Sequence, residues 1–159
     1  MSEIAFDVLD NHLQHQPDLA SAMVPMGMLL AWAANQHLLA TAVVEEHERL
    51  ILRIRFQEAR GSELLAVCGG DLLVSLFNED GQAFLTSYYP RYMRDYALLF
   101  DKQVGTECYV VPDDIEHYQR VAQMLTDQFM RSLGRRRSGA RDGVSLVTQM
   151  RRWWSGLWG

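Results

Sequence analysis

The apolar positions of this chain fall into blocks whose spacing is mostly helical. Ile4, Phe6, Val8, Leu9 and Leu13 lie mostly on one face of a short helix over Ile4 to Gln14. Pro17-Asp18 then opens a second helix, with Asp18 as its cap, running from about Leu19 to Leu39. That block is apolar nearly all round (Met23, Val24, Met26, Met28, Leu29, Leu30, Trp32), so it belongs at the centre of a domain. Pro25 and Gly27 predict a break or kink near its start. Its methionines read as core filling, because thioethers suit irregular packing.

From Thr41 to Glu58 two patterns compete. Leu50, Leu52, Ile54 and Phe56 alternate as in a strand, while Glu45–Arg49, with Glu48 and Arg53 nearby, suggests charge pairing along a helix. The charge pairs favour helix. A short helix over Glu63 to Cys68 stops at Gly69-Gly70, followed by a short apolar segment, Asp71 to Phe77. Asn78-Glu79-Asp80-Gly81 reads as a capped turn that launches a helix over Gln82 to Tyr89. Pro90 ends it, and Arg91 to Phe100 forms another. Cys108-Tyr109-Val110-Val111, inside Gly105 to Pro112, is the best strand candidate. Pro112-Asp113-Asp114-Ile115-Glu116 starts a long helix whose stripe Ile115, Tyr118, Val121, Ala122, Leu125, Phe129, Leu133 runs to Gly134.

The expected fold is mostly α, a single-domain helical bundle with room for one short strand or hairpin. Residues 1–133 form the acidic helical domain, 134–143 a basic Gly/Ser linker, and 144–159 a Trp-rich amphipathic C-terminal helix. At 159 residues the chain can bury roughly two-thirds of its unfolded surface. Its 48% apolar and 22% charged residues are those of a globular protein, so no metal or disulfide is needed to hold it.

Charge divides the chain more sharply than its net of −5 suggests. Met1 to Met130 holds 19 acids against 8 bases, net −11, and Arg131 to Gly159 holds 7 bases against Asp142 alone, net +6. An acidic body repels nucleic acid and membrane surfaces and attracts basic proteins. The N-terminus carries acids where a signal peptide needs Lys or Arg. The stretch Ala20 to Ala34, interrupted by Ser21 and Pro25, is too short to span a bilayer. Cys68 and Cys108 read as unbridged thiols in a reducing compartment, so a cytoplasmic location is expected.

Chemistry-bearing motifs are scarce. The glycines lack the spacing and lysine of a phosphate-binding loop, and neither a G-x-S-x-G elbow nor an H-E-x-x-H helix occurs. His12 and His15 read as a solvated i,i+3 pair, Glu45-Glu46-His47 has no metal spacing, and the paired acids read as helix starts. No catalytic residue, cofactor or metal is expected. The run Tyr88 to Tyr96 is the most unusual local feature: Tyr88, Tyr92 and Tyr96 make an inward stripe, leaving Tyr89 and Arg91 as exposed anchors for a partner. The basic segment with Trp153, Trp154 and Trp158 has three uses: touching anionic lipid, contacting phosphates, or folding back on the acidic body.

Several stretches resemble a known family. Met26-Gly27-Met28-Leu29-Leu30-Ala31-Trp32 with Leu38-Leu39, Glu63-Leu64-Leu65, Gly69-Gly70-Asp71-Leu72, Leu76 to Phe84, Tyr88-Tyr89, Tyr92 and Asp95-Tyr96 are similar to a little-characterised family of small bacterial cytoplasmic domains. The resemblance covers roughly residues 20 to 130; the chain departs from it in Pro25-Met26, in its N-terminal lead-in and in the basic Trp-rich tail. Such domains look like those encoded beside toxin and secreted-effector genes. The resemblance therefore implies an immunity protein that binds and neutralises a bacterial toxin, in particular a nuclease effector of type VI secretion. Candidate contacts are Glu45, Glu46, Glu48, Glu79, Asp80, Asp113, Asp114 and Glu116, with Tyr89 and Arg91 as anchors. The expected partner is the cognate toxin, with neither nucleic acid nor stable membrane insertion. The alternative is a peripheral membrane or regulatory adaptor acting through the C-terminal segment.

Overall fold

The computed structural model describes residues 3–139. Strand β1 (Ala5–Asp7) is followed by α1 (Leu9–Leu13), α2 (Leu19–Ala22), α3 (Val24–Asn35), α4 (Thr41–Glu46), α5 (Glu48–Arg55), α6 (Gly61–Val67), β2 (Leu72–Leu73), α7 (Glu79–Leu99) and α8 (Ile115–Gly139). Short 3-10 turns cover Val74–Leu76 and Thr106–Val110. The expected C-terminal helix over 144–159 lies outside the described residues.

Helix α3 is the axis of the domain. Every residue from Val24 to Ala34 is buried, as its lack of a polar face requires. It packs against α5, α6, α7 and α8. Pro25 sits in its first turn, where no helical N–H is lost, so the break from α2 falls at Met23. The approach to α6 is close enough to exclude side chains: a Cβ on Gly27 would stand 2.5 Å from the Ser62 nitrogen, and one on Gly61 would collide with the Gly27 carbonyl. Trp32 closes the other side, its ring 5.5 Å from Phe84 and 5.8 Å from Phe129, with Nε1 donating to Thr126 Oγ1 at 3.1 Å.

Helix α7 is one continuous element of 21 residues, not two joined at Pro90. Pro90 cannot donate to the Thr86 carbonyl, but both residues are exposed, so water can serve the orphaned oxygen. Meanwhile Phe84, Tyr88, Tyr92 and Tyr96 hold one buried face across the proline. Asn78 caps the helix by accepting from Gly81 N at 3.0 Å.

Further local expectations are corrected. The first block is a strand and then a helix: Asp7 Oδ1 accepts from Val8 N at 2.9 Å, ending the strand, and Ala5 and Asp7 pair antiparallel with Leu73 and Leu72. The strand candidate around Cys108 is a 3-10 turn, in which the buried Cys108 thiol donates to Gly105 O at 2.9 Å. The helices over 41–55 form as expected, yet among the described residues neither Glu45–Arg49 nor Glu48–Arg53 forms an ion pair. Arg53 and Arg55 donate instead to the carbonyls of Glu58 and Ala34. What holds α5 is the burial of Ile51 and Ile54. Helix α8 runs through Gly134 to Gly139, past the point where the basic linker was expected to begin.

Candidate functional site

The eight candidate acids stand at three helix starts or junctions. Glu45, Glu46 and Glu48 flank the break between α4 and α5 at His47, and all three are exposed. They share that ridge with Arg49, Arg53 and Arg55, so its charge is mixed. Glu79 and Asp80 project from the first turn of α7, beside the turn before α4, where Asn78 Nδ2 donates to His37 O at 2.8 Å. Asp113, Asp114 and Glu116 gather at the start of α8. There Asp114 accepts from the His117 backbone N–H at 2.9 Å and its ring Nδ1 at 2.6 Å, and these bonds hold its carboxyl below the usual range. Asp113 accepts from Ser62 Oγ at 2.6 Å, tying the start of α8 to the start of α6. The third group thus gains Glu63, whose carboxylate accepts from Arg60 N at 2.6 Å.

Most of these carboxylates lack a cationic partner. Residues 3–139 hold 19 acids and 12 Lys and Arg. Among the described residues, only one Arg–carboxylate pair forms, Arg94–Asp95 at 3.4 Å; the other three pairs involve histidines.

The tyrosine run is placed differently from the expectation in one residue. Tyr88, Tyr92 and Tyr96 turn inward as the i,i+4 spacing predicts, and their rings continue a ladder from Phe84 to Phe100. Tyr92 donates to Pro25 O at 2.6 Å, Tyr88 to Asp95 Oδ2 at 3.0 Å, and the buried Tyr96 hydroxyl has no partner among the described residues. Tyr89, expected as an exposed anchor, is only 8% exposed. Arg91 is half-buried, with its guanidinium 5.4 Å from the centre of the Tyr88 ring.

Tyr89 instead belongs to a cluster that the sequence did not reveal. Its hydroxyl donates to Asp7 Oδ2 at 2.5 Å, and His12 Nε2 lies 2.9 Å from the same oxygen. His12 Nδ1 is 2.6 Å from the Tyr109 hydroxyl, and Asn11 Nδ2 donates to Asp7 Oδ1 at 2.9 Å. His12, read from the sequence as solvated, is 2% exposed. Burial pushes the Asp7 carboxyl up, but the hydrogen bonds from His12, Tyr89 and Asn11 outweigh it and hold it at about 2. Burial raises Tyr89 and Tyr109, so both keep their protons. One arrangement satisfies every group: Tyr109 O–H donates to His12 Nδ1, His12 Nε2–H donates to an ionised Asp7, and Tyr89 O–H donates to it as well.

Two open grooves flank this cluster. One, of about 640 Å³, lies between β1 and α7 and is lined by Phe6, Leu85, Tyr89, Pro90 and Met93 among others. The other, of about 570 Å³, lies between α2, α6 and the segment Tyr109 to Asp113, with Glu63 and Asp113 in its wall. Among the described residues, no group of three His, Cys, Asp or Glu side chains is placed to hold a metal ion. No helix among them is long and apolar enough to cross a membrane. Cys68 and Cys108 are free thiols, both raised by burial.

A family model described as Domain of unknown function (DUF7832) matches residues 5–111, more than half of the chain. No curated protein and no solved structure matches it.

Proposed function

We propose that this chain, which belongs to the DUF7832 family, works by binding rather than by catalysis, as a cytoplasmic immunity protein that masks a basic bacterial toxin. The observation that carries the reading is its excess of carboxylates over arginine partners: of 19 acids in residues 3–139, one meets an arginine within ion-pair distance among the described residues. A field of this sign steers a cationic partner and repels nucleic acid. A nuclease toxin of type VI secretion, basic where it grips its substrate, has the matching charge.

The closed state of the most enzyme-like cluster supports the same reading. Asp7, His12 and Tyr109 have the order of a relay, but His12 is sealed and both its ring nitrogens are engaged. Tyr109 is pushed away from the anionic form by burial. A general base needs reach to a substrate proton, and the buried His12 ring, with both nitrogens engaged, has none.

The test is capture of the tagged full-length chain from its native cells, followed by mass spectrometry and binding kinetics with what co-purifies. The expected result is one stoichiometric partner with a toxin-like domain, and slower association when Glu79, Asp80 and Glu116 are replaced by Lys. A captured toxin whose association rate ignores the triple replacement would remove the electrostatic part of the reading. Capture of membrane fragments, lost on deleting residues 140–159, would replace it with the adaptor alternative.

A further inference from the structure

The groove between α2, α6 and the Tyr109–Asp113 segment has a rim unlike the other acidic surfaces. Its lining is largely apolar (Ala20, Met23, Ala66, Val110 and Pro112 among others), and Val110 stands 61% exposed in it. Helix α2 packs against the 3-10 turn that carries Val110, so Ala20, Ala66 and Val110 face one opening. The wall supplies Glu63 and Asp113. Among the described residues, no Lys or Arg lines it; Arg60 lines the small neighbouring cavity on the other side of Asp113.

An apolar lining open to water is unfavourable unless something covers it. Carboxylates without cations in the same wall specify the sign of that cover. The α4–α5 ridge lacks this combination: it exposes Leu52 and Phe56 but sets them among Arg49 and Arg53. We infer that this groove is the docking site for a cationic segment of the partner that presents apolar side chains flanked by Lys or Arg, as an amphipathic helix laid in a groove does. The inference rests on the immunity reading and names the surface it uses. The sign of the wall, Glu63 and Asp113 with no lining Lys or Arg among the described residues, matches the cationic partner of that reading.

Two variants isolate the two parts of the site. Glu63→Gln with Asp113→Asn removes both charges and keeps an oxygen to accept from Arg60 N and Ser62 Oγ. Val110→Asp places a charge on an exposed apolar point. The probe is an amphipathic Leu/Lys peptide of about 18 residues, long enough to form a helix, with a Leu/Glu peptide as control, titrated into the full chain while backbone amide shifts are recorded. The expected shifts centre on Ala20, Glu63, Ala66 and Val110, and each variant weakens binding by about 10-fold or more. Shifts centred on Glu79 or Glu48, equal binding of the Leu/Glu peptide, or binding indifferent to both variants would overturn the proposal. So would a groove that takes the peptide only after residues 140–159 are removed, since the chain's own segment would then be the occupant. Native capture separates this proposal from its premise. A toxin partner retained by the wild type and lost by Val110→Asp supports both, and a toxin retained equally by both chains overturns the groove alone. Peptide binding in the groove with no toxin captured overturns the immunity reading and leaves the cationic docking surface standing.

Discussion

Tyr109 belongs to two neighbouring regions that handle polar groups in opposite ways. Its hydroxyl closes the cluster of Asp7, His12 and Tyr89, where a buried carboxylate of β1 is matched by donors from α1 and α7. It also helps line the groove, where Glu63 and Asp113 face solvent with one protein hydrogen bond each and the exposed Val110 stands at the opening. Carboxylates in the first region are fastened and in the second are available. Burial makes the difference: an unpaired charge inside costs several kcal/mol, while the same charge at a groove wall costs almost nothing and projects a field. Stability should therefore respond to the first region and recognition to the second.

The comparison is broken most directly at Asp7. Asp7→Ala leaves His12 Nε2, the Tyr89 hydroxyl and Asn11 without their acceptor. The expected loss is about 3 kcal/mol, a fall of about 6–12 °C in Tm for a chain of this size, read by circular dichroism. A loss below about 1 kcal/mol would mean that the cluster does not fasten β1 and α1 to α7 and that the contrast with the groove is empty.

The same carboxylate sets a pH dependence. Its pKa lies near 2 in the folded chain against 3.8 ordinarily, so its contribution is complete above about pH 5 and fades as the pH falls through 3.8 towards 2. The urea midpoint of the wild type should drop across that window more steeply than that of Asp7→Asn. Asp18 and Asp114, also lowered, act in the same direction in both chains and cancel in the difference. Parallel curves would show that Asp7 is not held as its geometry requires.

How much of this was legible beforehand depends on the distance over which residues pair. The all-apolar α3, the Asn78 cap, the inward stripe of Tyr88, Tyr92 and Tyr96 and the acid-rich start of α8 are local patterns, readable within a few turns. The Asp7 cluster is not local: His12 meets Tyr109 across 97 positions and Tyr89 meets Asp7 across 82. Periodicity placed Tyr89 outside because a three-tyrosine stripe is narrow; β1 and α1 cover the flank next to it. The charge pairs along 45–53 misled in detail because long side chains take carbonyl partners as readily as carboxylates. The groove needs α2, α6 and the segment before α8 in one place, so Asp113 read simply as a helix-start acid.

Within the tyrosine ladder two hydroxyls test whether burial alone or pairing decides the outcome. Tyr92→Phe removes the donor to Pro25 O and should cost about 1 kcal/mol, the net worth of one buried hydrogen bond, while the carbonyl keeps its place in the α3 ladder. Tyr96→Phe removes a hydroxyl that is buried without a partner among the described residues and should be neutral or stabilising by up to about 1 kcal/mol. Both rings are equally hidden, so chemical denaturation of the two variants separates the terms. Equal losses would mean that ring packing, not hydrogen bonding, dominates here and that the Asp7 cluster too is held mainly by its apolar surroundings.

The smallest stability effect is expected where recognition matters most. Glu63→Gln with Asp113→Asn keeps an acceptor for Arg60 N and for Ser62 Oγ, and the groove wall is open to water before and after the change. Nothing buried is orphaned, so stability should move by no more than about 0.5 kcal/mol. Removing two negative charges near the starts of α6 and α8 works slightly against both helices, since a helix N-terminus favours an anion. That sets the expected sign as a small loss, greater at low salt. A loss above about 1.5 kcal/mol would show that these carboxylates are structural like Asp7, and the division between a fastening region and a receiving one would no longer hold. A small loss combined with weaker capture of a cationic segment places the two carboxylates in the wall for what lies outside the chain.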